Sequence, residues 1–161
     1  MKKKDFVVRF AGEGGQGVVT SAEGLAQAMA QSGYHVQTFS TFPSQIRGGP
    51  TWTQTRISTD EVLSSGDELD VLVAFNKYAY DNHREDVSDD GVIVYNQGEF
   101  EVEATGNVLG MDFDDLAKQT GNNRAANFVV MGALAQLVGL PLSVLKEFNK
   151  QRYTRGRPSD Q

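Results

Sequence analysis

A glycine-rich turn between an apolar run and an amphipathic segment constrains the fold of this chain more than any other feature. Residues 6–10 (FVVRF) carry β-branched and aromatic side chains, which favour a buried strand. Four glycines follow closely, at Gly12, Gly14, Gly15 and Gly17. Apolar residues then recur in steps of four, three and four, at Val18, Ala22, Leu25 and Met29. That recurrence predicts one face of a helix, so the stretch is predicted to form a strand, a tight turn and a helix.

The spacing of three of these glycines is typical of phosphate-binding turns. Gly12, Gly14 and Gly17 fit the G-x-G-x-x-G spacing in the strand–turn–helix context that this motif requires. Free N–H groups at the start of the helix, near residues 15–17, carry partial positive charge and can hold an anion. The alternative is that the glycines only form a tight turn and allow close packing of helix and strand.

A dinucleotide site needs one further residue, an acidic side chain that follows about 20 residues later and holds the ribose. The predicted second strand, residues 34–39, instead runs into Ser40, Thr41 and Phe42, none of which is acidic. We therefore favour a packing or interface turn that also meets a phosphate over a site for a nicotinamide or flavin dinucleotide.

Beyond the turn, short apolar runs alternate with helical patterns. Residues 71–75 and 92–95 are continuous apolar runs, typical of strands that are buried in parallel sheets, and residues 107–111 are predicted to form another short strand. An apolar stripe over residues 122–138 predicts a second long helix. This alternation predicts an α/β protein, a Rossmann-like three-layer fold with a mainly parallel sheet.

One segment predicts a strand of a different kind. Residues 51–58 (TWTQTRIS) are rich in β-forming residues, but polar side chains occupy both of their faces. Such a strand is expected to be exposed, at an edge of the sheet or in a subunit contact.

Two further positions are candidate ligand contacts. Arg47 precedes Gly48 and Gly49 in a loop that two prolines bracket, and an arginine fork in such a loop suits a carboxylate or a phosphate. Asn76 directly follows the strand predicted over residues 71–75, and ligands of open α/β sheets bind at the carboxyl ends of strands. Each has a structural alternative, because arginine on a turn is often solvated and asparagine often caps a helix.

Composition excludes several classes of function. The chain has no cysteine, its two histidines lack metal-ligand spacing, and no nucleophile with its base can be assembled, so we expect no catalytic residue and no metal site. A net charge of −6 argues against nucleic-acid binding. The apolar run after the N-terminal lysines is too short for a signal peptide or a membrane span, so we expect no membrane association and a cytoplasmic location.

Two motifs carry a family resemblance. The stretches AGEGGQGVVTSAEGLA (residues 11–26) and FPSQIRGGPTWTQTRIS (residues 42–58) resemble the gamma subunit, or gamma domain, of 2-oxoacid:ferredoxin oxidoreductases. DELDVLVAFN (residues 67–76) and NFVVMGAL (residues 127–134) are similar to that family too. The loop around SQIRGG looks most like members in which this domain is fused to the N-terminus of the alpha chain, often acting on 2-oxoglutarate.

The resemblance implies a component of an assembly that oxidatively decarboxylates a 2-oxoacid, such as 2-oxoglutarate or pyruvate, to an acyl-CoA and passes electrons to ferredoxin. Thiamine pyrophosphate and iron–sulfur clusters would belong to the alpha and beta components, and the gamma domain would pack against them and help to shape the coenzyme A site. It would be inactive alone. The positions carried over are the glycine turn (Gly12, Gly14, Gly15, Gln16, Gly17) and the turn at Arg47, Gly48 and Gly49.

The resemblance also divides the chain. Residues 1–150 are expected to form the gamma-type domain, and residues 151–161 a basic tail or the start of a linker. Two other functions stay open at this point: a stand-alone dinucleotide-binding oxidoreductase, and a ligand-sensing domain that binds a small molecule without turning it over.

Overall fold

The computed structural model describes residues 5–41, 49–61, 68–103 and 107–119, together with positions 132, 133 and 136. The elements over these residues, in chain order, are β1 (Asp5–Glu13), α1 (Val18–Gln31), β2 (His35–Thr41), β3 (Pro50–Ser58), β4 (Leu69–Ala74), α2 (Lys77–His83), a 3₁₀ helix (Arg84–Asp86), β5 (Val87–Asn96), β6 (Val108–Met111) and α3 (Phe113–Gln119). The predicted strand–turn–helix at the start of the chain is confirmed as β1, the glycine turn and α1.

The six strands form one sheet in the order β2-β3-β1-β4-β5-β6. Strands β1, β4, β5 and β6 are parallel neighbours, whereas β3 is antiparallel to both β2 and β1. The sheet is therefore mixed but mainly parallel, and the predicted α/β fold is confirmed.

Alternate residues of β1 are buried on opposite faces of the sheet, as a strand with both faces covered requires. On one face, Val8 and Phe10 belong to a core cluster with the apolar stripe of α1, which is Val18, Ala22, Leu25 and Met29. On the other face, Val7 and Ala11 belong to a second cluster, with Ala79 and Tyr80 of α2. The two helices thus cover opposite faces, which gives the three layers that the sequence predicts.

The prediction of an exposed strand at residues 51–58 is wrong. Strand β3 lies between β2 and β1, and Thr53 and Gln54 are almost fully buried, with Gln54 only 3% exposed. Two of these buried polar side chains have partners: the hydroxyls of Thr53 and Ser40 lie 3.0 Å apart, and Gln54 accepts hydrogen bonds from Arg9. The buried hydroxyl of Thr55 has no hydrogen-bond partner among the described residues. Strand β2 is the outer neighbour of β3 instead.

Several predictions fall on other parts of the chain. The long helix predicted over residues 122–138 lies outside the described residues, except that positions 132, 133 and 136 are helical. The predicted tail, residues 151–161, and the loop positions Arg47 and Gly48 also lie outside them. Among the described residues, no helix is long and apolar enough to cross a membrane.

Candidate functional site

The glycine turn follows β1, the strand at which the strand order of the sheet reverses. From β1 the chain crosses by α1 to β2 on one side, and β4 later takes the place on the other side of β1. In open α/β sheets, ligands bind at such a switch point, outside the carboxyl ends of the strands. The antiparallel β3 begins at the same end, since Pro50 is paired with Glu13. We call this region, residues 12–17, 49–50 and 74–76, the carboxyl end of the sheet.

The glycines of the turn are required by its backbone and by its packing. Gly15 and Gly17 have φ angles of 93° and 86°, in the left-handed region that favours glycine. At Gly12, an added Cβ would lie 2.8 Å from Cβ of Phe75 and 3.0 Å from Cγ2 of Val18. The close packing that was one alternative for these glycines is therefore present, and a ligand role stays a prediction.

The turn leaves backbone donors at the start of α1. No side chain caps this helix, and its first turn contains no acidic residue. The N–H groups of Gly15 and Gly17 have no acceptor within the described ranges, whereas the N–H of Gly14 donates to the carbonyl of Gly49 at 3.2 Å. This last bond joins the glycine turn to the exit of the loop between β2 and β3.

Gln16 joins the glycine turn to the segment after β4. Its Oε1 accepts hydrogen bonds from the N–H of Glu13 at 2.8 Å and from Nδ2 of Asn76 at 3.1 Å. Asn76 also caps α2, because its Oδ1 accepts from the N–H of Ala79 at 2.8 Å. The structural alternative for Asn76 is thus observed, and a ligand contact from it remains a prediction.

Most of the residues singled out from the sequence lie together at the carboxyl end of the sheet. Gly12, Gly14, Gly15, Gln16 and Gly17 form the turn. Gly49 and Asn76 are hydrogen-bonded to it, whereas Arg47 and Gly48 lie outside the described residues.

Sequence reasoning missed a second polar cluster, which surrounds Arg9 of β1. Nε and one terminal nitrogen of Arg9 donate to Oε1 of Gln54 at 3.0 and 2.7 Å. The other terminal nitrogen lies 3.0 Å from Nδ1 of His83 and 2.5 Å from Oδ2 of Asp86. The guanidinium also lies over the ring of Trp52, 4.6 Å from its centroid. The sequence feature that could have indicated this cluster is Arg9 itself, a single arginine inside an otherwise apolar strand.

His83 is held in its neutral form by these surroundings. Burial and the nearby charge of Arg9 lower the pKa of His83, and the carboxylate of Asp86 opposes them with a smaller upward effect. Nδ1 must be unprotonated to accept from Arg9. The contact between Arg9 and His83 therefore requires an uncharged His83, whereas the ion pair of Arg9 with Asp86 does not.

Within the described ranges, no three histidine or acidic side chains are grouped so that they could hold a metal ion. The carboxyl end of the sheet offers backbone N–H groups and one side-chain amide, which are donors suited to binding an anion.

Comparisons with known proteins agree with this description. Residues 7–156 match the family model described as pyruvate ferredoxin/flavodoxin oxidoreductase. The chain is 34% identical over 133 residues to the ketoisovalerate oxidoreductase subunit VorA of Methanothermobacter marburgensis. The aligned residues cover 81% of this chain but only 28% of that relative. It is also 34% identical over 138 residues to the pyruvate synthase subunit PorC of Methanothermobacter thermautotrophicus, covering 83% of this chain and 76% of that subunit.

Among solved structures, the chain is similar to a 2-oxoglutarate:ferredoxin oxidoreductase from Magnetococcus marinus, which is described with 2-oxoglutarate, coenzyme A and succinyl-CoA bound. The TM-score is 0.85 at 33% identity, over 98% of this chain and 28% of the other. The resemblance found in the sequence is confirmed: the chain belongs to the pyruvate ferredoxin/flavodoxin oxidoreductase family.

Proposed function

We propose that this chain is the gamma component of a 2-oxoacid:ferredoxin oxidoreductase and that it shapes the coenzyme A site without carrying out the chemistry itself. The assembly would decarboxylate a 2-oxoacid such as 2-oxoglutarate or pyruvate, transfer the acyl group to coenzyme A, and pass the electrons to ferredoxin. Alpha and beta components would be its partners and would bind thiamine pyrophosphate and iron–sulfur clusters. A cytoplasmic location remains part of this proposal.

One observation carries the proposal. The glycine turn, the exit of the β2–β3 loop and the cap of α2 converge at the carboxyl end of the sheet, in a chain that is similar over 98% of its length to part of an oxidoreductase described with coenzyme A bound. Coenzyme A carries several phosphate groups. N–H donors that have no acceptor among the described residues, at a helix start that lacks acidic residues, suit such a ligand.

The test of the assembly is affinity purification of the tagged chain from its own host under anaerobic conditions, followed by mass analysis and an absorption spectrum. A brown complex that contains larger chains, iron–sulfur clusters and thiamine pyrophosphate is the expected result. A colourless monomer would contradict the proposal and would favour a stand-alone dinucleotide-binding or ligand-sensing domain, to be tested by titration of the glycine turn with dinucleotides.

Arg47→Ala tests the second half of the proposal in the purified complex. A guanidinium that contacts a phosphate of coenzyme A contributes a charge-assisted hydrogen bond, so we expect its loss to weaken coenzyme A binding by about tenfold or more. Arg84→Ala, which removes an exposed arginine from the 3₁₀ helix, is the matched control. An unchanged affinity for coenzyme A in Arg47→Ala would show that Arg47 does not contact coenzyme A.

A further inference from the structure

The stretch from Gly24 to Ile46 carries no charged residue. It contains no Lys, Arg, Asp or Glu, although these residue types make up 22% of the chain. The structure describes this stretch as far as Thr41, as the second half of α1, a short turn and the strand β2. Gln27, residues 30–35 and residues 38–41 are exposed to solvent. We call these exposed residues the neutral surface.

A surface of this composition is typical of the core of a protein–protein interface. Charged residues are depleted there and aromatic residues are enriched, because a charge that loses its water without gaining a partner is costly. Tyr34 and Phe39, each 37% exposed, are two of the exposed large hydrophobic residues of the described ranges, and both belong to the neutral surface. A partner chain can therefore cover this surface without dehydrating any charged side chain that belongs to it.

The neutral surface includes an unprotected edge of the sheet. β2 is the outermost strand on this side, and among the described residues only β3 pairs with it. Alternate residues of β2 therefore direct their backbone N–H and C=O groups away from the sheet. Edge strands are normally protected by charged side chains, proline, a bulge or a short length. β2 has seven residues, none of them charged or proline, and its pairing with β3 is continuous, whereas β6 at the opposite edge has only four.

We propose that a β-strand of the alpha component pairs with the outer edge of β2, and that the neutral surface is where this chain contacts that component. This inference rests on the proposed function. A second copy of this chain fits less well, because the contact would then consist of the exposed residues of 24–41 alone, fewer than the roughly 20–30 residues per side of a stable interface. A larger chain can continue the contact beyond this surface. The VorA relative, of which the aligned residues cover only 28%, is such a larger chain.

Charges placed in β2 test this pairing. Thr38 is exposed at the centre of β2, and Thr38→Lys and Thr38→Glu each add a charge that a neutral interface would have to dehydrate. We expect each to weaken the affinity of the full chain for the remaining components by about tenfold or more, whichever the sign of the charge. Thr38→Val, which is β-branched and uncharged, should bind like wild type. Titration of the tagged chain with the purified components under anaerobic conditions provides the measurement.

Leu109→Lys and Leu109→Glu are the matched controls, since Leu109 is 45% exposed on the opposite edge strand, β6. Both should assemble like wild type, and the Tm of each isolated variant should lie within a few degrees of wild type. Hydrogen exchange adds a readout of the backbone. The outward N–H groups of β2 should exchange fast in the isolated chain and slow by about tenfold or more in the complex, because the added strand accepts from them.

Wild-type affinity in both charged Thr38 variants would overturn the inference, as would fast exchange along the outer edge of β2 in the complex. Disulfide-linked pairs of this chain in a complex formed with Thr38→Cys would also overturn it. Because the chain has no cysteine of its own, such pairs would assign the edge to a second copy. Failure of the proposed function is a separate result: the wild-type chain itself would then bind no oxidoreductase component, and the pairing with the alpha component would be wrong as well.

Discussion

At the scale of single residues, the packing of the turn depends most on Gly12, because this residue has no Cβ. A Cβ there would lie within 3.0 Å of Gln16, Phe75 and Val18. The sequence identified this glycine by its spacing alone. Which neighbours crowd it could not be predicted, because Phe75 is brought alongside only when β4 pairs with β1.

Gly12→Ala is therefore expected to destabilise the protein by about 1–3 kcal/mol, because the added methyl group must displace well-packed neighbours. The control is Gly132→Ala, at a helical position where an added Cβ meets no atom of the described residues within 4 Å. That change should be neutral or stabilising by up to about 1 kcal/mol. Urea unfolding of both variants checks this, and equal effects would contradict the packing argument.

His83 makes the stability depend on pH in a defined direction. Its pKa in the folded protein is lowered from 6.5, so the unfolded chain takes up the proton first as the pH falls. The stabilising effect of neutral His83 is complete above pH 6.5 and is lost as the pH falls through the folded pKa. Asp5, whose pKa is lowered from 3.8 by its hydrogen bond to Arg56, loses its contribution only at more acidic pH.

His83→Gln should consequently flatten the decrease in Tm between about pH 7.5 and pH 5.5, because glutamine does not titrate. His35→Gln is the matched control, since His35 is exposed at the start of β2 and lies outside the Arg9 cluster. Thermal melts across this range provide the measurement. The same decrease in Tm for His83→Gln and wild type would show that another group is responsible.

At the scale of the elements, the strands and helices followed from periodicity, but the place of β3 did not. Alternating polar residues usually indicate exposure, and they misled the prediction because Gln54 and Thr53 are satisfied by side chains from other strands. Those partners are far away in sequence: Arg9 is 45 residues from Gln54. A local pattern carries no information about such pairing. The continuous apolar runs within β4 (residues 71–74) and β5 (residues 92–95) predict buried strands without that information.

Arg9→Met tests how strongly the Arg9 cluster attaches α2 to the sheet. Arg9 is only 12% exposed, and its replacement removes the two hydrogen bonds that it donates to Gln54 and its ion pair with Asp86, so we expect a loss of about 2 kcal/mol. Lys77→Met, the control, breaks the exposed i,i+4 ion pair of α2 with Asp81 and should cost about 0.5 kcal/mol or less. Denaturant titration of both variants distinguishes them, and similar losses would mean that the cluster adds little.

At the scale of the whole molecule, the family was predictable from two long motifs, and the fold class from the alternation of apolar runs with helical patterns. The hydrogen bond from Nδ2 of Asn76 to Oε1 of Gln16 was not predictable, since it depends on β1 and β4 lying side by side. The motifs identify these residues in the sequence. The order of the strands in the sheet explains why the residues lie together.

Assembly should protect the glycine turn from hydrogen exchange. In the isolated chain the N–H groups of Gly15 and Gly17 have no acceptor within the described residues, so we expect them to exchange fast. In the complex with coenzyme A they should slow by about tenfold or more, whereas the N–H groups of Val8 and Val73 in the core should be slow in both states. Fast exchange of the turn in the loaded complex would argue against its burial there.

The direction of β3 determines where the segment between β2 and β3 attaches to the sheet. Because β3 is antiparallel to both β1 and β2, the segment leaves the sheet after Thr41 and returns at Pro50, on the same side as the glycine turn; in a fully parallel sheet it would have to return at the opposite side. Both ends of the motif that contains Arg47 are therefore anchored next to the motif that contains the glycine turn, so two stretches that lie far apart along the chain share one end of the sheet.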